Sequence, residues 1–239
     1  RPELFIPDKF ISWSKSTSNK FEIPGFCFRV PRGDIGIRKT SLLNKKAKNN
    51  LLLLLPTIDS RISPLSHWSI THQESLDNIS QFANNLDKRI KLTIRTGIRS
   101  NPITDHDVKY LREKIFRNFD IDYNKRPFSK IYTKYNLLIF FYDSSGFLES
   151  LSRKYPSIMY INDHEFIRLN EEYKITYNKL IDKKIITRKI ENLIDMSKTY
   201  NANVNTYYNK ISESNEYINK LVSTDLLGGA NLALRLSKL

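Results

Sequence analysis

Asp143, Ser144, Ser145 and Gly146 stand together between two apolar runs, Leu137 to Tyr142 and Ser157 to Ile161, and Glu149 follows one helical turn later. Serine and glycine at the mouth of a helix suit an anion. The hydroxyls donate, a glycine lets a phosphate approach the backbone, and the helix start adds N–H groups and the positive end of its dipole. Glu149 is placed to accept from a sugar hydroxyl of the same ligand. Asp143, Ser144 or Ser145 could cap the helix start, and the plainer alternative is that Ser145 merely does so while Glu149 completes a capping box. These residues alone leave both open.

The surrounding elements favour a ligand-binding architecture. Leu137 to Tyr142 is continuously apolar, as a strand covered on both faces should be, and Ser157 to Ile161 reads the same way. Phe147, Leu148 and Leu151 share one helical face between them, so the unit is strand, helix, strand, with a right-handed crossover and parallel strands. In such sheets ligands sit at the carboxyl ends of the strands, which is where Asp143 to Gly146 falls.

The rest of the chain repeats the alternation. Strands are expected at 51–55, 90–96 and 119–122. Helices are expected at 71–86, at 102–116 capped by Thr104, and briefly at 127–135. After Ile161 the pattern is helical, at 165–181, 188–199 and 204–222, with Arg168 and Glu172 forming an ordinary pair on the first of these. Residues 1–50 carry Pro2, Pro7, Pro24, Pro31 and Gly25, Gly33, Gly36 and read as an irregular or short-stranded linker. The predicted organisation is a linker at 1–50, a Rossmann-like doubly wound parallel α/β domain at 51–186, and helices with a tail at 187–239.

Composition narrows the partners. The single cysteine, Cys27, excludes an internal disulfide and a cysteine-rich zinc site, and the four histidines form no ligand set, so no metal or other cofactor is expected. No apolar run approaches the roughly 20 residues that span a bilayer, which points to a cytoplasmic protein, free or peripheral at the inner face of the membrane. The net charge of +14 draws polyanions, including an anionic membrane surface. Only Leu42 to Asn50 is a compact basic segment, and it lacks the aromatic interleaving of a single-strand binding surface, so no specific nucleic acid is expected. Walker, G-x-G-x-x-G and G-x-S-x-G motifs are absent from the sequence.

Tyr142, Ser144, Ser145, Phe147, Leu148, Glu149, Ser150, Leu151, Pro156 and Ser157 together resemble a motif, Y-x-S-[ST]-x-[FY]-L-E-[ST]-L-x(4)-P-[ST]. It belongs to a family of sugar transferases encoded among bacterial O-antigen and surface-polysaccharide genes. His164 to Ile186, the segment His67 to Leu86, Arg95 at a strand end and the opening segment Pro7 to Pro24 resemble the same family. The chain departs from it at Gly146, where Thr is usual, at Phe166 for Trp and at Lys184 for Gly; an expected Asp-Tyr-Gly after Arg95 is absent.

The resemblance implies the C-terminal, donor-nucleotide half of a two-domain GT-B glycosyltransferase, with an N-terminal acceptor half upstream of Arg1. It implies that Ser144, Ser145 and Gly146 hold the phosphate of a nucleotide-sugar donor, that Glu149 holds the ribose, and that Arg95 neutralises the leaving nucleotide or else forms an ion pair. Arg61 and His67, in the loop after the first strand, would face the interdomain cleft, Arg61 as a phosphate clamp. The acceptor would be a glycan or a lipid-linked glycan, and no catalytic residue is assigned. Two other classes stay in play: a non-catalytic nucleotide- or glycan-binding module, and a basic nucleic-acid-binding protein.

Overall fold

A computed structural model describes residues 10–12, 22–24, 49–55, 68–96, 102–128, 131–169 and 171–222. Two three-residue strands, β1 (Phe10–Ser12) and β2 (Glu22–Pro24), pair in parallel. The main body then alternates. It runs β3 (Asn50–Leu54), α1 (Trp68–Asn85), β4 (Lys91–Arg95), α2 (Pro102–Lys114), β5 (Phe119–Asp122), β6 (Leu137–Phe140), α3 (Ser145–Ser152), β7 (Ser157–Tyr160), α4 (Asp163–Arg168), α5 (Glu171–Asp182), β8 (Ile186–Thr187), α6 (Ile190–Ala202), α7 (Val204–Glu213) and α8 (Asn215–Leu221).

Strands β3 to β8 form one wholly parallel sheet in the order β5-β4-β3-β6-β7-β8. Counted from β3, that is the 3-2-1-4-5-6 order of the doubly wound nucleotide-binding sheet, and the winding reverses between β3 and β6. A parallel sheet must be covered on both faces. The residues Leu51 to Leu54, Leu137 to Phe140 and Ser157 to Tyr160 are accordingly all buried, against Leu76, Ile79 and Phe82 of α1, Leu193 and Tyr200 of α6 and Tyr207 of α7.

Two tyrosine hydroxyls taken inside the core are matched. The Tyr207 hydroxyl donates to the Tyr155 carbonyl at 3.1 Å and lies 3.3 Å from the Ser157 hydroxyl, and burial raises its pKa far above that of an exposed tyrosine. The Tyr200 hydroxyl donates to the Lys184 carbonyl at 2.7 Å. Among the described residues no helix is long and apolar enough to cross a membrane.

Four local expectations are corrected. The helix expected over 165–181 is two helices, because Leu169 takes an extended conformation (φ −62°, ψ 145°) after its N–H closes α4 on the Phe166 carbonyl; Arg168 and Glu172 therefore do not share a helix. The helix expected over 204–222 is divided at Ser214, whose hydroxyl donates back to the Lys210 carbonyl at 2.7 Å. Thr104 lies inside α2, which opens at Pro102, a residue suited to the first helical position because its missing N–H would be unpaired there in any case. In the stretch at 127–135 the described residues include a 3-10 turn at Tyr132–Lys134 in place of the expected short helix.

The sixth strand, β8, escapes sequence reasoning because only two residues pair. It exists because α5 ends sharply: the Lys184 N–H bonds the Ile181 carbonyl and the Ile185 N–H reaches the Leu180 carbonyl, both at 2.9 Å, with Lys184 at φ 58°. This is a Schellman closure that ordinarily takes glycine at the left-handed position. Lys184→Gly should therefore stabilise the fold by about 0.5–1 kcal/mol, read as a higher denaturant midpoint at unchanged slope; a lower midpoint would show that the Lys184 side chain contributes more than the strain costs.

Candidate active site at the switch point

The turn after β6 lies where the sheet reverses its winding. Ser144 is the N-cap of α3, with extended backbone (φ −145°, ψ 153°), and its Oγ accepts from the Phe147 N–H at 3.2 Å. The cap is thus Ser144, not Ser145, and the third helical position is Phe147, so Glu149 does not complete a capping box. Ser145 and Gly146 supply the first two helical N–H groups, the ones that an α-helix cannot bond to its own carbonyls.

Gly146 has a second reason to be small, in the core. A Cβ there would sit 3.3 Å from Phe140 Cε1 and 3.7 Å from Ser144 Oγ, so the missing side chain makes room for a core ring. Phe140 is fixed edge-on against Phe147 and Phe128, with ring centroids 5.5 and 6.2 Å away. The glycine therefore draws the helix start onto the end of β6.

Around this turn stands a group of acids and tyrosines. Asp143 Oδ1 accepts from the Tyr177 hydroxyl at 2.8 Å, tying the turn to α5. The residue is exposed overall, yet its carboxyl is crowded, and desolvation lifts its pKa above the ordinary range against the lowering effect of that bond. Asn162 caps α4 by accepting from the Glu165 N–H at 2.8 Å, and the Glu165 carboxylate accepts in return from the Asn162 N–H, a complete capping box. Glu165 Oε2 is enclosed without a hydrogen-bond partner among the described residues. Burial foremost, then the charge of Asp143, raises the Glu165 pKa to about 7.

Helix starts at this end of the sheet differ in charge. First turns of α2, α4, α5 and α6 carry Asp105, Asp163 with Glu165, Glu171 with Glu172, and Glu191. First turns of α1 and α3, the helices that follow the two switch-point strands, carry none. Their positive dipole ends are left for something other than a first-turn carboxylate.

Of the remaining sequence candidates, Arg95 is buried at the end of β4. It donates to Asp122 Oδ2 at 2.6 Å, to the Arg126 carbonyl at 2.7 Å and to Asn124 Oδ1, and so braces the end of β5. Contact with a leaving nucleotide would require giving up that network, and the Arg95–Asp122 ion pair is an interior one, with the Arg95 side chain 5% exposed. Arg61 and His67 lie outside the described residues. Among the described residues no group of three or more His, Cys, Asp or Glu is placed to hold a metal ion.

Residues 1–199 match the family described as LIC12162 family transferase. The chain belongs to that family. No curated protein sequence matches this transferase. Its fold is similar to that of a mutant O-GlcNAc transferase from Thermobaculum terrenum, at TM-score 0.53 and 12% identity over 87% of this chain and 38% of that one. It is also similar to a mutant of S. aureus TarM solved with fondaparinux, α-GlcNAc-glycerol and UDP, at TM-score 0.51 and 15% identity over 96% of this chain and 44% of that one. The transferase thus spans less than half the length of either neighbour. At these identities the likeness is one of fold, a Rossmann-like α/β sheet.

Sequence reasoning brought Ser144, Ser145, Gly146 and Glu149 to one turn and helix, but missed Tyr177, Asn162 and Glu165. The pattern Asn162-Asp163-His164-Glu165 is itself a capping-box signature and was open to recognition. Two outcomes follow from this geometry. Arg95→Met should cost roughly 2–4 kcal/mol in denaturation, since it strands Asp122; a loss under 1 kcal/mol would show that the network does not brace β5. An acid with a raised folded pKa holds an extra proton in the folded state, so Glu165 makes stability fall as pH rises from about 4.5 to about 7. Glu165→Gln should remove that slope and be the more stable form at pH 8, by on the order of 1–3 kcal/mol, with the difference gone below pH 4.5; an unchanged slope would assign it to another group.

Proposed function

We propose that this transferase binds a nucleotide-activated sugar at the turn after β6 and takes part in glycosyl transfer to a bacterial surface glycan, with a glycan or lipid-linked glycan as acceptor. One observation carries the reading. The Ser144–Gly146 turn opens α3 at the carboxyl end of β6, beside the strand where the sheet reverses, and the first turn of α3 holds no carboxylate. The family is one of transferases, and the TarM neighbour was solved with UDP, which is consistent with a nucleotide donor.

In this reading the Ser145 and Gly146 amides and the serine hydroxyls hold the donor phosphate, and Glu149 takes a ribose hydroxyl. Phe147 offers less, because its N–H is already bonded to Ser144 Oγ. Catalysis rests on positioning and on stabilising the departing nucleoside phosphate at a helix start. The other half of the cleft, with the acceptor site, belongs to a preceding domain in a GT-B arrangement.

Calorimetric titration with CMP, CDP, UDP and GDP tests this on the present chain and on Ser145→Ala/Glu149→Ala. Micromolar binding of one nucleotide, weakened at least ten-fold by the double change in a protein that stays folded, is the expected result. Binding that the double change leaves intact would move the site elsewhere, and absence of binding by every nucleotide would leave Ser144–Gly146 as a helix cap.

A further inference from the structure

The opposite end of the sheet has its own character. The last turns of α1 and α2 run out at the amino ends of β4 and β5, and Lys88, Arg89, Lys91, Arg112 and Arg117 line a shallow basin of about 720 Å³ there with Ile115 and Phe116. Two of these cations are neutralised, Arg89 by Asp87 at 2.5 Å and Lys91 by Asp120 at 3.0 Å. Arg117 donates to the carbonyls of Leu86, Asp87 and Ile90 and keeps its charge there. Lys88, Arg112 and Lys114 add to it, opposed by Glu113 on the same turn of α2.

Phe116 stands out of this basin 87% exposed. A lone exposed apolar residue is ordinary, but this one is held in place. The Asn84 side chain donates to the Lys114 carbonyl at 2.9 Å and accepts from the Phe116 N–H at 2.8 Å, while Ile115 beside it is buried. The backbone is clamped with the ring directed outward.

We infer that this end of the sheet docks on an anionic lipid surface, with Phe116 inserted between headgroups and Lys88, Arg112, Lys114 and Arg117 at phosphate level. One apolar wedge ringed by cations fits a bilayer interface. A second copy of this chain would bring the same cations and a net charge of +14 against them. Single-stranded nucleic acid needs a run of open aromatic faces, whereas Phe119 is half-buried with Arg112 over its ring at 5.7 Å. Because the patch lies at the amino ends of the strands, it is at the opposite end of the sheet from the turn after β6, and the inference does not depend on what that turn binds.

Co-sedimentation with vesicles of phosphatidylcholine alone, and of phosphatidylcholine with 30 mol% phosphatidylglycerol (roughly the anionic share that gives a surface potential of the needed size), tests it. Binding should require the anionic lipid and weaken steeply with salt. Phe116→Ser should reduce it at least several-fold, and Lys88→Gln with Arg112→Gln should reduce it by roughly five-fold per charge. Lys198→Gln, a neutralisation on the exposed face of α6, should leave it nearly unchanged. Equal loss on Lys198→Gln would reduce the effect to net charge and overturn the site. So would binding indifferent to Phe116→Ser, or poly-dT binding that depends on these residues while vesicles fail to bind.

Discussion

The parallel pairing of Leu51–Leu54 with Leu137–Phe140 is the contact from which the rest of the molecule follows. These two strands are far apart in sequence and central in space, and each is apolar on both faces. Once they pair, helices must cover both sides, and the strands before and after them can only add outward. The reversal of winding between them then falls at the middle of the sheet, the point at which sheets of this order take their ligands. The candidate site is a consequence of that packing before any of its side chains is considered.

The core also determines where the site's backbone lies. Phe140 at the end of β6 meets Gly146 at the start of α3, and its ring is held by Phe128 and Phe147. Ser144 caps the helix, and Asp143 anchors the turn to Tyr177 on α5. Two of these ties are polar and replaceable, whereas the rings of Phe140 and Phe147 are fully buried. The path of the turn is therefore set mainly by hydrophobic packing.

Much of this was legible in the sequence because fully apolar runs announce strands covered on both faces. Leu51–Leu55, Leu137–Tyr142 and Ser157–Ile161 could hardly be anything else, and the crossover rule then dictates a parallel sheet. What escaped was decided by backbone geometry. The strand β8 depends on a left-handed residue at Lys184, and the breaks at Leu169 and Ser214 occur without glycine or proline. At the site, Ser144 and Ser145 are equivalent as letters, and only the extended conformation of Ser144 separates the cap from the first helical residue. The role of Arg95 turned on which way its side chain leaves the strand, and a charged residue at a strand end reads alike whether it faces a ligand or the neighbouring strand.

The distribution of charge follows from the fold as well. In a parallel α/β sheet every helix between strands begins at the carboxyl end of the sheet and finishes at the amino end, so one end collects positive dipole ends and the other negative ones. Acids in the first turns of α2, α4, α5 and α6 compensate the first, and Arg112, Lys114 and Arg117 near the close of α2 compensate the second. Such charges stabilise helices and say little about ligands. The informative positions are those where the compensation is missing, and at the carboxyl end these are the first turns of α1 and α3. They follow the two strands between which the winding reverses. An anion bound there would do for α1 and α3 what carboxylates do for their neighbours, and that is the physical reason to look for a phosphate at this point in the sheet.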